Sequence, residues 1–318
     1  MTVADERATS AFARWKSAAS EPLTGDASAR KYFRLRAANQ TAILMDASRV
    51  PDSVGPFVRI ANHLRHLGFS APEILARDSE NGMLLLEDFG DATFALLLEK
   101  SIEVESLYNL ATDVLIALHQ HPEAVPENLH GYEPENMLED IELFVKWRTP
   151  NVTALEKEYF RAAWRVVLPL AHRVPASLLL RDYHVANLML LSERNGIQQA
   201  GLLDFQDAYR GPVTYDLISL LQDARRDVPE ALQKKLFARY LAAFPALDPE
   251  KFETSLAILA AQRHTRVLGV FERLARHDGK LNYRRLHSPR VERFLQKALC
   301  HPMLADVKNW MDRHARTD

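Results

Sequence analysis

Leu178, Leu179 and Leu180 run straight into Arg181 and Asp182; Asn187 follows five positions later, and Leu188, Met189, Leu190 and Leu191 lead away. Apolar runs this short, bounded by polar residues, read as buried strands rather than helices. Downstream, Gly201, Leu202 and Leu203 deliver Asp204 and Phe205 in the same way. The chain must therefore fold so that two short buried strands each end in a carboxylate near a turn. Hard divalent cations take oxygen ligands, often only one or two from protein, and Asn187 and Asp204 supply such oxygens. A separate carboxylate, Asp182, can accept the proton of an attacking hydroxyl. The arrangement suits holding a metal ion and activating a hydroxyl.

The flanks differ in pattern. Tyr32, Phe33, Arg34 and Leu35 have strand composition, and Thr41 to Met45 is a second strand candidate. The stretch from Pro22 through Gly25, Asp26 and Ser28 reads as a loop entering the first of them. Such a loop can turn backbone N–H groups toward an anion, or can be an ordinary hairpin connection. Phe57, Ile60, Leu64 and Leu67 repeat at helical spacing after Pro56, and Gly68 is a plausible stop. Residues 82–90 read as a buried strand with a polar exit. Residues 20–90 thus predict a small antiparallel sheet with one helix packed on it. From residue 92 the spacing is helical, with helices expected near 154–172, 215–224, 229–244 and 250–277 and a terminal pair after Pro289. The strand-forming stretch 178–206 interrupts them. The fold class expected is α+β.

With 318 residues, 47% of them hydrophobic, the chain can bury a large core. The net charge of -2 gives no global excess that points to nucleic acid. Cys300 is the only cysteine, which excludes an intrachain disulfide and a cysteine metal cluster. Residues 1–20 lack the apolar core of a signal peptide, and no apolar run is long enough to span a membrane. A soluble, cytoplasmic protein is expected, with no nucleic-acid or membrane partner.

Asp182-Tyr183-His184-Val185-Ala186-Asn187, then Leu202-Leu203-Asp204-Phe205, Gly211-Pro212 and Tyr215-Asp216-Leu217, resemble in order the motifs of the aminoglycoside phosphotransferase and choline kinase superfamily. The resemblance covers roughly residues 20–300. It implies a bilobal protein-kinase-like fold, with a nucleotide-binding lobe in residues 1–90 and a larger, mainly helical catalytic and acceptor-binding lobe in residues 91–318. Phosphoryl transfer of this kind depends on positioning and charge neutralisation. The resemblance implies Asp182 as catalytic base, Asn187 and Asp204 as Mg²⁺ ligands, and ATP as donor. Gly25, Asp26 and Ser28 would cover the phosphates, and the backbone at Glu87 and Phe89 would meet the adenine. His184 would orient its neighbours, and Asp216 would support the helix that follows it.

Longer strings are similar to the bacterial kinases that phosphorylate the anomeric hydroxyl of N-acetylmuramate and N-acetylglucosamine in cell-wall recycling. They are Gly25-Asp26-Ala27-Ser28 with Tyr32-Phe33-Arg34-Leu35, Leu44-Met45-Asp46-Ala47, Leu85-Leu86-Glu87-Asp88-Phe89-Gly90, Asp204-Phe205-Gln206-Asp207-Ala208, Leu220-Leu221-Gln222-Asp223-Ala224 and Gln262-Arg263-His264. That likeness implies a small amino sugar as acceptor, with His184, Asp207, Asp223 and Arg263 as candidate acceptor contacts. Basic residues dominate after position 260, among them Arg263, Arg266, Arg273 and Arg276, which suits a neutral or anionic acceptor better than a polycationic antibiotic. They also fit a solvated or paired basic face. An aminoglycoside, choline or homoserine-type kinase on the same fold stays open. The run Ala42-Ile43-Leu44-Met45 lacks the lysine that many superfamily members carry there. Arg30, Lys31 or Arg34 could supply that charge; failing that, the chain is a non-catalytic nucleotide-binding pseudokinase.

Overall fold

The computed structural model describes residues 12–13, 15, 17–23, 29–38, 40–100 and 103–315. Gly25, Asp26 and Ser28, and most of the helix-like stretch 3–18, lie outside the described residues. The chain forms two compact units. One comprises the chain up to Val114 together with Val185–Ala208; the other comprises Leu115–His184 and Tyr209–Asp318.

The first unit is built on a five-stranded sheet in the order β1-β2-β3-β5-β4, every neighbouring pair antiparallel. The strands are β1 (Ala19–Leu23), β2 (Lys31–Ala37), β3 (Gln40–Asp46), β4 (Ile74–Asp78) and β5 (Met83–Leu86). β1 falls where a loop was expected. It contains Pro22, which lacks an N–H and so reads as a strand breaker, but the strand lies at the sheet's edge and pairs only with β2, where proline is tolerated. Helix α1 (Val54–His66) follows β3 and buries Phe57, Ile60, Ala61 and Leu64. It ends as the sequence predicts. Gly68 takes φ +85°, its N–H donates to the Arg65 carbonyl at 3.0 Å, and the Phe69 N–H donates to the Leu64 carbonyl at 2.9 Å. Those two bonds satisfy carbonyls the helix leaves open, and the left-handed turn costs least with glycine.

Two further helices follow, α2 (Phe94–Glu99) and α3 (Val104–Gln120). The first unit also holds the short hairpin of β7 (Leu188–Leu190) and β8 (Ala200–Leu202).

The second unit is mainly helical. α4 (Pro134–Trp147), α5 (Ala154–Ala171), α6 (Tyr215–Leu221), α7 (Glu230–Ala243), α8 (Pro249–Arg276), α9 (Leu281–Ala298) and α10 (Ala305–His314) surround one apolar core. Its large buried members include Phe144, Phe160, Trp164, Tyr215 and Ile258. α5 starts at Thr153, whose hydroxyl accepts the Glu156 N–H while the Glu156 side chain returns to the Thr153 N–H. This reciprocal cap fixes the start predicted from the sequence. α4 and α8 approach so closely that a Cβ on Gly269 would lie 2.5 Å from the Phe144 nitrogen. Only a residue without a side chain fits there.

Pro289 does not begin a terminal pair. It sits inside α9. A proline interior to a helix forfeits one hydrogen bond and crowds the preceding turn. Burial of Val291 and Leu295 on the helix's inner face offsets that cost. Among the described residues no helix is long and apolar enough to cross a membrane.

Candidate active site

β6 (Ala176–Leu179) is the strand that delivers Asp182, and it pairs with β9 (Tyr209–Pro212) from Ala176↔Pro212 to Leu179↔Tyr209. Gly211 lies within β9. A Cβ there would sit 2.7 Å from the Leu179 side chain, so glycine lets the two strands close up.

Past Leu179 the backbone is held from α6. The buried Asp216 carboxylate accepts the Leu180 N–H at 2.6 Å on one oxygen and the Arg181 N–H at 2.9 Å on the other. Asp216 therefore clamps the loop that follows β6, where it was expected to support its own helix. One turn along α6, the Ser219 hydroxyl donates to the Arg181 carbonyl at 3.3 Å and accepts from Arg263 Nη2 at 3.0 Å. Three and four residues apart on a helix is one face, so α6 presents Asp216 and Ser219 together to the loop. Arg181 itself takes φ +72°. A left-handed conformation at a non-glycine residue is strained and tends to occur where function requires a particular backbone path. Its guanidinium is fixed by an ion pair with Asp140 and lies 5.2 Å from the ring centres of both Tyr132 and Tyr209. The Tyr132 hydroxyl donates to the same Asp140 carboxylate at 2.6 Å, and Arg266 approaches it at 3.3 Å.

Asp182 follows this anchored arginine. Burial pushes its carboxyl up, but the positive charges of Arg266, Arg263 and Arg181 outweigh that and hold it below the ordinary carboxylate range. Asp182 is thus ionised at neutral pH, as a proton acceptor must be. The His184 N–H donates to the Asp182 carbonyl at 3.1 Å. Burial pushes the His184 imidazole below its usual value, so it is neutral. Asp223 is buried and accepts the Arg225 N–H at 2.9 Å, a turn-capping bond; its second oxygen meets no hydrogen-bond partner among the described residues. Arg263 is buried too, and two of its donor nitrogens, Nε and Nη1, likewise meet none.

Asn187 and Asp204 belong to the first unit. They leave the same end of the β7–β8 hairpin, whose register runs Leu188↔Leu202 to Leu190↔Ala200. The Leu203 N–H donates to the Asn187 carbonyl at 3.0 Å, which extends the ladder by one step. Asn187 thus stands opposite Leu203, the residue before Asp204. Asp204 takes φ +58°, a second non-glycine residue in the left-handed region. The next residue, Phe205, is buried and packs on Phe57 of α1 with ring centroids 5.1 Å apart. The Asp204 carboxylate accepts from Gln206 Nε2 at 3.0 Å and pairs with Arg30 Nη2 at 2.9 Å. Gln206 also donates to Asp207 at 3.1 Å, and Asp207 is exposed. Tyr32 lies in the same field. Burial pushes its phenol up to about 12, with Arg30 opposing and Asp204 and Asp207 adding to the rise.

The donor set fits a magnesium ion. It is all oxygen, from one amide and one carboxylate at the same end of a hairpin. Among the described residues no three His, Cys, Asp or Glu side chains gather as a metal cage. Mg²⁺ keeps several waters and shares phosphate ligands, so it does not need such a cage.

Arg34, Glu87 and Phe89 form a third group. The Arg34 guanidinium donates to Asp91 at 2.6 Å, to Asp88 at 3.0 Å and to the Gly90 carbonyl at 2.8 Å, which fastens β2 to the segment after β5. The Glu87 N–H donates to the Glu73 carbonyl at 2.8 Å, and its side chain pairs with Arg194. Arg194 in turn lies 5.2 Å over the Phe89 ring. Gly201 lies against that ring; a Cβ there would come within 2.8 Å of it.

The structure therefore gathers Asn187, Asp204 and Asp207 in one unit and Asp182, His184, Asp223 and Arg263 in the other, with Val185 and Ala186 between them in the chain. Sequence reading missed the Asp140 network and Ser219. Ser219 had a signal, because it lies one helical turn from Asp216; Asp140 had none. The arginines after position 260 are largely paired. Arg276 and Arg284 approach Glu272 at 3.1 and 3.5 Å, and Arg290 and Arg293 approach Asp227 at 2.9 and 3.1 Å.

Comparison with known proteins places the chain among relatives. The sequence model described as "Phosphotransferase enzyme family" matches residues 20–251. A Caulobacter vibrioides protein named N-acetylmuramate/N-acetylglucosamine kinase is 34% identical, over 92% of this chain and 91% of its own length. A Pseudomonas aeruginosa protein of the same name is 35% identical, over 90% and 86%. Among solved structures, a choline/ethanolamine kinase family protein from Mesorhizobium loti superimposes with a TM-score of 0.63 at 16% identity, covering 98% of this chain and 100% of that one. Aminoglycoside 2'-phosphotransferase-IIIa, solved as its GDP complex, gives 0.63 at 13% identity, covering 91% and 97%. At those identities the likeness speaks for the fold, a protein-kinase-like α+β architecture as expected.

Proposed function

Because the chain belongs to the phosphotransferase enzyme family, we propose that it is an ATP-dependent kinase of N-acetylmuramate and N-acetylglucosamine that phosphorylates the anomeric hydroxyl. The observation that carries the acceptor is the likeness, over about nine-tenths of the chain, to two proteins named for that activity. The ionised Asp182, fixed through Asp216 and Ser219, supports the reaction type.

In this reading Asp182 accepts the proton of the sugar's anomeric hydroxyl as its oxygen attacks the terminal phosphorus of ATP. The P–O bond to ADP breaks, and the products are ADP and the sugar 1-phosphate. Asn187 and Asp204 hold Mg²⁺, which neutralises charge on the phosphates. His184, neutral and buried, positions Asp182. Gly25, Asp26 and Ser28 cover the phosphates, and the backbone of Glu87 and Phe89 meets the adenine. Asp223 and Arg263, each with buried polar atoms to offer, face the acceptor, with Asp207 nearby in sequence to Asp204. Residues 1–90 serve the nucleotide, and residues 91–318 serve catalysis and the acceptor. ATP and a soluble amino sugar place the protein in the cytoplasm.

An acceptor screen following ADP release tests the assignment. The two N-acetylated sugars should raise the rate above background hydrolysis, while aminoglycosides, choline and homoserine should not. A rate raised only by one of the latter compounds would move the protein to another branch of the family. No acceptor-dependent release, with nucleotide still bound, would favour a non-catalytic nucleotide-binding role.

A further inference from the structure

Transfer of a terminal phosphoryl group requires cationic side chains at the phosphates besides any metal ion. Along β2 and β3 and the residue before them, the described cations are Arg30, Lys31, Arg34 and Arg36. β3 carries none from Gln40 to Asp46. Arg34 is held by Asp88, Asp91 and the Gly90 carbonyl. Arg36 is exposed and approaches Glu21 at 3.5 Å. Lys31 is exposed at the start of β2.

Arg30 differs from all of these. It sits one residue before β2, and its side chain is only 10% exposed. Its Nη2 lies 2.9 Å from Asp204 Oδ1, across 174 positions of sequence. Side chains alternate along an extended strand, so Arg30, Tyr32 and Arg34 share one face of the β2 segment. That face carries the Arg30–Asp204 contact. A guanidinium carries its donors in a planar fork. It can therefore hold a carboxylate oxygen and a phosphate oxygen together, which an ammonium does less well.

We propose that Arg30 is the phosphate-gripping cation of this enzyme, a positioning residue that ties the metal-side carboxylate Asp204 to the terminal phosphates of the nucleotide. The assignment rests on the kinase reading above. It gives the missing cation of β3 a replacement from the adjacent strand, and it makes the Arg30–Asp204 pair part of nucleotide recognition rather than a surface ion pair.

Calorimetric binding of ATP with Mg²⁺, and separately of adenosine, to the full-length protein and its variants tests this. Arg30→Ala should weaken ATP binding by roughly tenfold to a hundredfold, the loss typical of a charge-assisted contact. Adenosine binding should change by less than about twofold, because it has no phosphates to grip. Arg30→Lys should recover part of the ATP affinity, and Arg36→Ala on the same strand should behave as wild type. Equal losses for ATP and adenosine, or no loss of ATP binding in Arg30→Ala and Arg30→Lys, would overturn the assignment. Should Arg30→Ala fail to fold, Arg30→Lys decides: unchanged ATP affinity contradicts the proposal, and a loss confined to ATP supports it. If the wild-type protein bound no ATP, the kinase reading itself would fall, which is a distinct outcome.

Discussion

Asp216 and Arg181 are joined through the backbone: one Asp216 carboxylate oxygen accepts the Arg181 N–H at 2.9 Å while the other accepts the Leu180 N–H at 2.6 Å. A fully buried side chain thereby fixes the two residues before Asp182. Burial pushes the Asp216 carboxyl up to about 7, against the pull of those two amides. A folded-state value above the unfolded one means the native protein holds this proton longer than the unfolded chain does. The contribution is full below about pH 4 and is lost as pH rises toward 7, by at most on the order of 4 kcal/mol. Urea midpoints of wild type and Asp216→Asn, compared between pH 4 and 8, should show the wild-type advantage shrinking as pH rises across that window. A constant difference would mean that Asp216 titrates normally.

Asp182 shows the opposite sign. Its carboxyl is held below the ordinary range by Arg266, Arg263 and Arg181 despite burial. Its ionised form therefore persists to below about pH 4, the unperturbed value. The acid limb of the pH–rate profile should accordingly carry no inflection from this group between pH 5 and 7. Asp182→Asn should lower kcat by about 10² to 10⁴ while leaving ATP affinity within about twofold. A loss of ATP binding in step with kcat would mean that Asp182 serves the nucleotide instead.

The metal assignment predicts a separate pattern. Asp204 is 39% exposed and keeps its place through backbone pairing and the buried Phe205. Asp204→Ala should abolish the Mg²⁺-dependent activity and lower stability by only about 1–3 kcal/mol, since it removes the carboxylate paired with the largely buried Arg30 and leaves the fold's core intact. Magnesium titrations of rate, with thermal melts alongside, check both halves. Undiminished activity in the variant would place the metal on other residues.

Gly269 gives a prediction about stability alone. Its α-carbon faces the backbone of α4 at Phe144, and an added methyl would meet the Phe144 nitrogen at 2.5 Å. Backbone cannot swing aside as a side chain can. Gly269→Ala should cost about 1–3 kcal/mol, the range for overpacked cores, seen as a lower melting temperature, with kcat unchanged for the folded fraction. An unaltered melting temperature would show that the two helices can part at little cost.

Much of this was legible because its determinants are local. α1 announced itself by apolar residues at three- and four-residue spacing and by Gly68 after the last turn. Asp182, Asn187 and Asp204 stood out because two short apolar runs set them at polar exits in order. What was hidden depends on the sheet and on distance. β1 looked like loop because Pro22 disfavours strands, and only the edge position makes it tolerable. Pro289 looked like a boundary, but packing of α9 on the core carries the helix through it. The Arg30–Asp204 pair links residues 174 positions apart, and no local pattern encodes such a contact. The basic run after residue 260 suggested a field aimed at the acceptor. The structure instead ties Arg276, Arg284, Arg290 and Arg293 to Glu272 and Asp227, so these charges do not by themselves favour an anionic acceptor.

Phosphorus NMR of the purified protein with ATP, Mg²⁺ and N-acetylmuramate or N-acetylglucosamine tests the central claim most directly. The account predicts that the ATP signals give way to those of ADP and of a sugar 1-phosphate, its phosphorus coupled to the anomeric proton. No phosphosugar from either compound, or phosphate on a hydroxyl other than the anomeric one, would contradict it.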